Sequence, residues 1–122
     1  MRNTTALRIA AVLGMLSVAL GAFGAHSLKS LLQQNQTAGV WEKAVFYQFI
    51  HTVMLFILAS RKPVPKLSWW AFFCGIILFS GSLYVLAVTN VRWLGAITPF
   101  GGVSFIVGWV CLAICPEQAK QA

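Results

Sequence analysis

The chain has 122 residues, 59% of them hydrophobic and 9% charged, with a mean hydropathy of +0.81. A water-soluble domain of this size must show more polar surface than that composition supplies, so a soluble fold is excluded first. Nine Lys and Arg against two Glu give a net charge of +7, but the basic residues stand between apolar runs without the clustered basic and aromatic faces of a nucleic-acid surface, and anionic lipid head groups are their natural counter-charge.

A helix needs about 20 mostly apolar residues to cross a hydrocarbon core of roughly 30 Å. Four stretches meet that requirement: about 8–26, 40–60, 67–88 and 93–115, none with Asp, Glu, Lys or Arg in its interior. The first carries Ser17, Gly21 and Ala25 every four residues, a stripe that lets helix backbones approach. Arg2 and Arg8 before this run, and the small pair Ala22 and Gly24 at its end, resemble a secretory signal peptide; the apolar stretch is long for that purpose and no cysteine follows at a lipobox position, so a retained span is expected. Leu28, Leu31 and Leu32 then lie at helical spacing before the polar run Gln33, Gln34, Asn35, Gln36 and Thr37, which predicts a short interfacial helix followed by a loop.

In the second span Glu42 is expected in the first turn, where a carboxylate suits the positive end of the helix dipole. Deeper in that span, Tyr47 and His51 stand one turn apart, with Gln48 and Thr52 on the neighbouring row. His51 is about ten residues below Trp41, hence roughly 15 Å into the bilayer. Arg61 to Lys66, with Pro63 and Pro65, reads as a stiff turn. The third span brings Ser80, Ser82 and Tyr84 to a comparable depth. In the fourth, Thr98 and Pro99 either kink the helix or mark its true start, Gly101, Ser104 and Gly108 form a second small-residue stripe, and Pro116 marks the end.

Short connectors make each helix antiparallel to the one before it, so residues 1–122 are expected to form one all-α transmembrane domain, an up-and-down four-helix bundle with both termini on one side. Arg2, Arg8, Arg61, Lys62, Lys66 and Lys120 fall on that side and Lys29, Lys43 and Arg92 on the other, which puts both termini in the cytoplasm, at the face where anionic lipids are expected. Trp41, Trp69, Trp70 and Trp93 fall at segment ends, as interfacial anchors would, whereas Trp109 does not.

The candidate functional group is an intramembrane polar layer around His51, made with Tyr47, Gln48, Ser80, Ser82, Tyr84, Thr98 and Ser104. It reads either as a proton relay or small polar ligand site, or as interhelical hydrogen bonding that fixes the packing. The two small-residue stripes read as packing inside the bundle, with self-association as the alternative. His26 and Glu42 form a second candidate group at the outer end, too thin a donor set for a metal. Cys74, Cys111 and Cys115 read as small apolar fillers. No metal, cofactor or catalytic residue is expected, since the chain has no Asp, no Gly-rich phosphate loop and no nucleophile with a base and an orienting acid at readable spacing.

Four blocks carry a family resemblance: LGAFGAH from Leu20 to His26, YQxxH from Tyr47 to His51, LFSGSLY from Leu78 to Tyr84 and ITPFGGVSFIVGW from Ile97 to Trp109. They resemble domain-of-unknown-function family 423, the small YgdD-type bacterial inner-membrane proteins, to which the eukaryotic transmembrane protein 256 group is similar. The motif positions on this chain are Gly21, Gly24, His26, Tyr47, Gln48, His51, Ser80, Gly81, Ser82, Tyr84, Thr98, Pro99, Gly101 and Gly102. The resemblance implies a multi-pass protein of the bacterial cytoplasmic (inner) membrane and brings no activity to transfer. The expected role is a non-enzymatic structural or accessory membrane component, with a membrane-protein partner or a second copy of itself; the alternative is a small transporter or channel using His51 and its neighbours.

Overall fold

A computed structural model describes residues 2–114, and all the secondary structure among them is helical. In chain order it comprises α1 (Asn3–Ala25), α2 (Lys29–Asn35), α3 (Ala38–Ala59), α4 (Lys66–Gly75), a π-helical segment (Ile76–Ser80), α5 (Gly81–Thr89), a 3₁₀ turn (Arg92–Ala96) and α6 (Thr98–Ile114). Four spans are long and apolar enough to cross a membrane: Asn3–Ala25, Ala38–Ala59, Lys66–Thr89 and Arg92–Ile114. They match the predicted spans, although the first begins at Asn3 rather than Arg8, and Pro116, Cys115 and Lys120 lie outside the described residues.

Side-chain hydrogen bonds define the two ends of the bundle. At one end the Asn3 amide donates to the Ala59 carbonyl, and Ser68 Oγ donates to the Gly108 carbonyl at 3.2 Å, so Asn3, the turn at 61–65 and the end of α6 lie together. At the other end Asn35 Nδ2 donates to the carbonyls of Ala87 and Val88 at 3.0 and 3.1 Å, and Thr37 Oγ1 donates to Ala87 at 2.7 Å. The bundle is therefore up-and-down and antiparallel.

Its spans pack mainly in sequence, first on second, second on third, third on fourth. The outer two spans bury 17% of their most apolar window, against 39% and 44% for the second and third, which makes the middle pair the core. Large apolar side chains such as Val18, Phe56, Ile77, Val85, Val103 and Ile106 remain exposed around the belt. Water does not tolerate a contiguous surface of that kind, and lipid does.

Glycines set the closest contact, between the third and fourth spans. The Phe72 ring fills the space over Gly108, the Phe105 ring fills the space over Gly75, and the backbone of Phe79 itself lies against Gly101. All three pairs follow one antiparallel register, each Gly on one helix facing a Phe on the other. The Gly101–Gly108 stripe is therefore occupied inside the chain. On the first span Ser17 is 1% exposed and Gly21 approaches Val45, but the tightest position is Gly24, over which the Trp41 indole packs, while Ala25 is exposed.

Several local expectations change. Gln33, Gln34 and Asn35 belong to α2, and only Gln36, in the left-handed region at φ 56°, and Thr37 connect it to α3. Because α3 starts at Ala38, Glu42 lies beyond its first turn. Trp41 and Trp69, 5% and 0% exposed, are core residues whose indole N–H groups donate to the carbonyls of Leu20 (2.9 Å) and Leu55 (3.2 Å); a donor inside the bundle gains more from a carbonyl than a ring at the head groups gains from water. Trp70 and Trp93 are exposed, as anchors are. Cys74 is exposed and so fills no core space, whereas Cys111 is half-buried. Pro99 sits in the first turn of α6, where it breaks no helical bond.

Candidate functional site

His51 is buried in the second span, 4% exposed, and both its ring nitrogens are engaged. Trp109 Nε1 lies 3.1 Å from His51 Nε2, and an indole N–H can only donate. Nε2 must therefore accept, so the ring is the neutral tautomer with its proton on Nδ1, which donates to the Tyr47 carbonyl at 2.8 Å one turn back. Phe105 stacks on the ring at 3.7 Å between centroids and 10° between planes. Phe72 and Trp109 complete an aromatic surround, with centroids at 5.4 and 5.9 Å.

Tyr47 sits beside this imidazole, its ring nearly parallel to it with centroids 6.1 Å apart, but the other candidate residues do not gather there. Gln48 links three spans: its Nε2 donates to the Leu13 carbonyl at 3.0 Å, and its Oε1 accepts from the Tyr84 hydroxyl at 2.5 Å. The Tyr84 ring also meets Trp41 edge-on at 4.7 Å. Ser80 Oγ donates to the Ala44 carbonyl at 2.7 Å, across the second and third spans. Ser82 Oγ and Thr98 Oγ1 share a hydrogen bond of 2.7 Å that joins α5 to the start of α6. Ser104 Oγ donates to the Ala71 carbonyl at 2.6 Å and Ser17 Oγ to the Leu13 carbonyl at 2.9 Å. The expected single layer is thus a series of separate ties spread along the bundle, since a short hydroxyl reaches a backbone carbonyl on the adjacent helix sooner than it reaches a distant imidazole. Among the described residues the buried polar atom left without a partner is Thr52 Oγ1.

Two grooves open between the spans. One, of about 430 Å³, exposes an edge of the His51 cluster beside Tyr47, Phe79, Pro99 and Trp109. Tyr47 is 37% exposed, and its ring packs on Phe79 at 4.6 Å. The other, of about 400 Å³, lies between α1 and α3 and includes Glu42 with Gly21, Gly24 and Ala25. His26 is exposed beside a different hollow, with Ala19, Ala22, Phe23 and Ser27. The outer-end pair is therefore divided between two surfaces, and no group of three or more metal-ligating side chains occurs among the described residues.

Comparison with known proteins adds to this geometry. The family described as "Protein of unknown function (DUF423)" matches residues 20–102, from the carbonyl that accepts the Trp41 hydrogen bond to the second glycine of α6. The chain belongs to that family. It is similar to a UPF0382 membrane protein of Staphylococcus haemolyticus, 47% identical over 110 residues that cover 87% of this chain and 89% of the relative. A UPF0382 membrane protein of Staphylococcus saprophyticus is 46% identical over 110 residues, covering 87% and 91%. The UPF0382 membrane protein YwdK of Bacillus subtilis is 42% identical over 112 residues, covering 87% and 90%. No solved structure matches. With four spans and relatives named as membrane proteins, this DUF423 member is a multi-pass protein of the bacterial cytoplasmic membrane.

Sequence reasoning missed Trp109 as the partner of His51, and Phe105, Gly75 and Trp41 as the residues that close the helix contacts. One indication was present. Trp109 was the tryptophan that fitted no interface, and an N–H donor in mid-span needs an acceptor.

Proposed function

We propose that this DUF423 protein is a non-enzymatic structural or accessory component of the membrane, a compact four-span body that works through the surface it presents to lipid and to other membrane proteins. The observation that carries this reading is the engagement of His51, whose two ring nitrogens are taken by Trp109 and the Tyr47 carbonyl while Phe105 covers its face. That arrangement leaves no free nitrogen for a substrate or a proton chain. Gln48, Ser80, Ser82, Ser104 and Tyr84 are likewise used in ties between helices, as interhelical hydrogen bonds in membranes commonly are, at about 0.6–2 kcal/mol each.

Two experiments test it. Proteoliposomes of wild type and His51→Ala should show the same background permeability to protons and small solutes; a flux present in wild type and removed by His51→Ala would overturn the structural reading in favour of a transporter. Cross-linking in native membranes from the exposed face of α6, at Val103, Ile106 and Val110, should capture a reproducible membrane-protein partner or a second copy. That face replaces the Gly101–Gly108 stripe, which the third span covers.

Both termini are proposed to face the cytoplasm. Arg2, Arg8, Arg61, Lys62 and Lys66 stand at the end of the bundle that holds Asn3 and Ile114, against Lys29, Lys43 and Arg92 at the other, as the positive-inside rule requires, with anionic lipid at the basic rim. A reporter active only in the cytoplasm should report when fused after Ala122. A periplasmic-type reporter that reports there instead would reverse the orientation.

A further inference from the structure

Most polar groups within the bundle are consumed in ties between spans, but Glu42 stands over open space. It lines the groove of about 400 Å³ between α1 and α3, where Gly21 and Ala25 form one wall, Phe46 and Phe49 the other, and Trp41 packs between the helices. Glu42 is exposed and is the one carboxylate side chain among the described residues of a chain with a net charge of +7. On α3, Glu42, Phe46 and Phe49 follow at helical spacing of four and three residues and so share a face, the carboxylate at the outer end and the rings deeper. At about 1.5 Å per residue the face is roughly 10 Å long.

A mostly apolar groove with one oriented polar group is the form that small-molecule sites take. We propose that this groove binds an amphipathic monovalent cation, an ammonium or quaternary ammonium head on a single short apolar tail, with the head at Glu42 and the tail along Phe46 and Phe49. Four features select that chemistry. Among the residues that line the groove the charged one is Glu42, whose carboxylate attracts a cation and repels an anion at contact distance, with Lys29, Lys43 and Arg92 elsewhere at this end of the bundle. Phe46, one turn below the carboxylate, and Phe49, a further turn down, line the groove with apolar surface for a tail. A metal ion would need further donors, and the wall opposite Glu42 offers glycine and alanine. The aromatic face, roughly 10 Å long, matches a short tail. On the α1 side the groove is lined by the small residues Gly21, Gly24 and Ala25.

The test is equilibrium dialysis of the full chain in dodecyl maltoside, an uncharged detergent, with radiolabelled hexyltrimethylammonium as the probe. Wild type should bind it saturably at one site per chain. Unlabelled hexanol, hexyl sulfate and phosphatidylcholine should each compete at least tenfold more weakly than the unlabelled cation. Glu42→Gln should weaken binding at least tenfold by removing the charge, and Ala25→Phe should do so by filling the groove with the charge intact. Both positions are exposed, so neither change disturbs a buried contact. The proposal is overturned if wild type shows no saturable site, if Glu42→Gln binds as wild type does, if hexanol competes as well as the cation, or if phosphatidylcholine displaces the probe and so claims the groove for bilayer lipid.

Discussion

At His51, bulk and hydrogen bonding contribute separately and can be separated by substitution. His51→Ala removes the ring that Phe105 stacks on and leaves the Trp109 N–H without an acceptor in a low-dielectric interior, so a loss of about 2–4 kcal/mol is expected in reversible unfolding from mixed micelles. His51→Phe restores the stack but still orphans the indole, and should recover only part of that loss. Glycines sort by what a methyl group would meet. Gly101→Ala would press a carbon into the backbone of Phe79, which cannot rotate away, and should cost about 1–3 kcal/mol. Gly39→Ala meets nothing within 4 Å at the exposed start of α3 and should stabilise by up to about 1 kcal/mol in the same assay. The sequence marked His51, Gln48 and the serines as polar groups that must find partners in a membrane, and they do. It could not say which partners, because most are backbone carbonyls, which look alike along every helix, and the His51–Trp109 pair spans 58 residues.

Among the elements, the π segment Ile76–Ser80 is the one with no mark in the sequence. A π turn holds one residue more than the α turn it replaces, which shifts the faces of α5 relative to those of α4. Within the segment Phe79 still lies against Gly101 of the fourth span, and Ser80 at its end meets the second span through the Ala44 carbonyl. Because the extra residue is already accommodated there, deletion of Leu78 should be absorbed by closing the bulge. Deletion of Val53 from α3 has no such relief and rotates the two halves of that helix by about 100°, separating Gln48 and His51 from the Leu55–Ala59 packing surface. The Leu78 deletion should remain monodisperse in detergent with a modest fall in melting temperature, while the Val53 deletion should aggregate. The spans were legible because hydrocarbon thickness dictates their length. Their exact starts were not, since a helix can run past the apolar stretch, as α1 does through Arg8.

On the scale of the whole molecule, antiparallel order followed from connector length, but the sequence did not say that the outer two spans would be so lightly covered. A charge bias holds the proposed orientation of the body. Changing Arg61, Lys62 and Lys66 together to Gln leaves, among the described residues, Arg2 and Arg8 against Lys29, Lys43 and Arg92, which removes the bias and should give a mixed population of orientations by cysteine labelling at the turn and at Gln34. The His51–Trp109 contact also has a consequence for how the chain is made. The carbonyls of Leu13 and Leu20 that receive Gln48 and Trp41 are synthesised first, so the second span finds its acceptors waiting in the membrane. His51 finds only its own helix until the fourth span arrives. Its imidazole is thus satisfied on both nitrogens only once the fourth span is in place, and a copy lacking that span leaves Nε2 without its Trp109 donor.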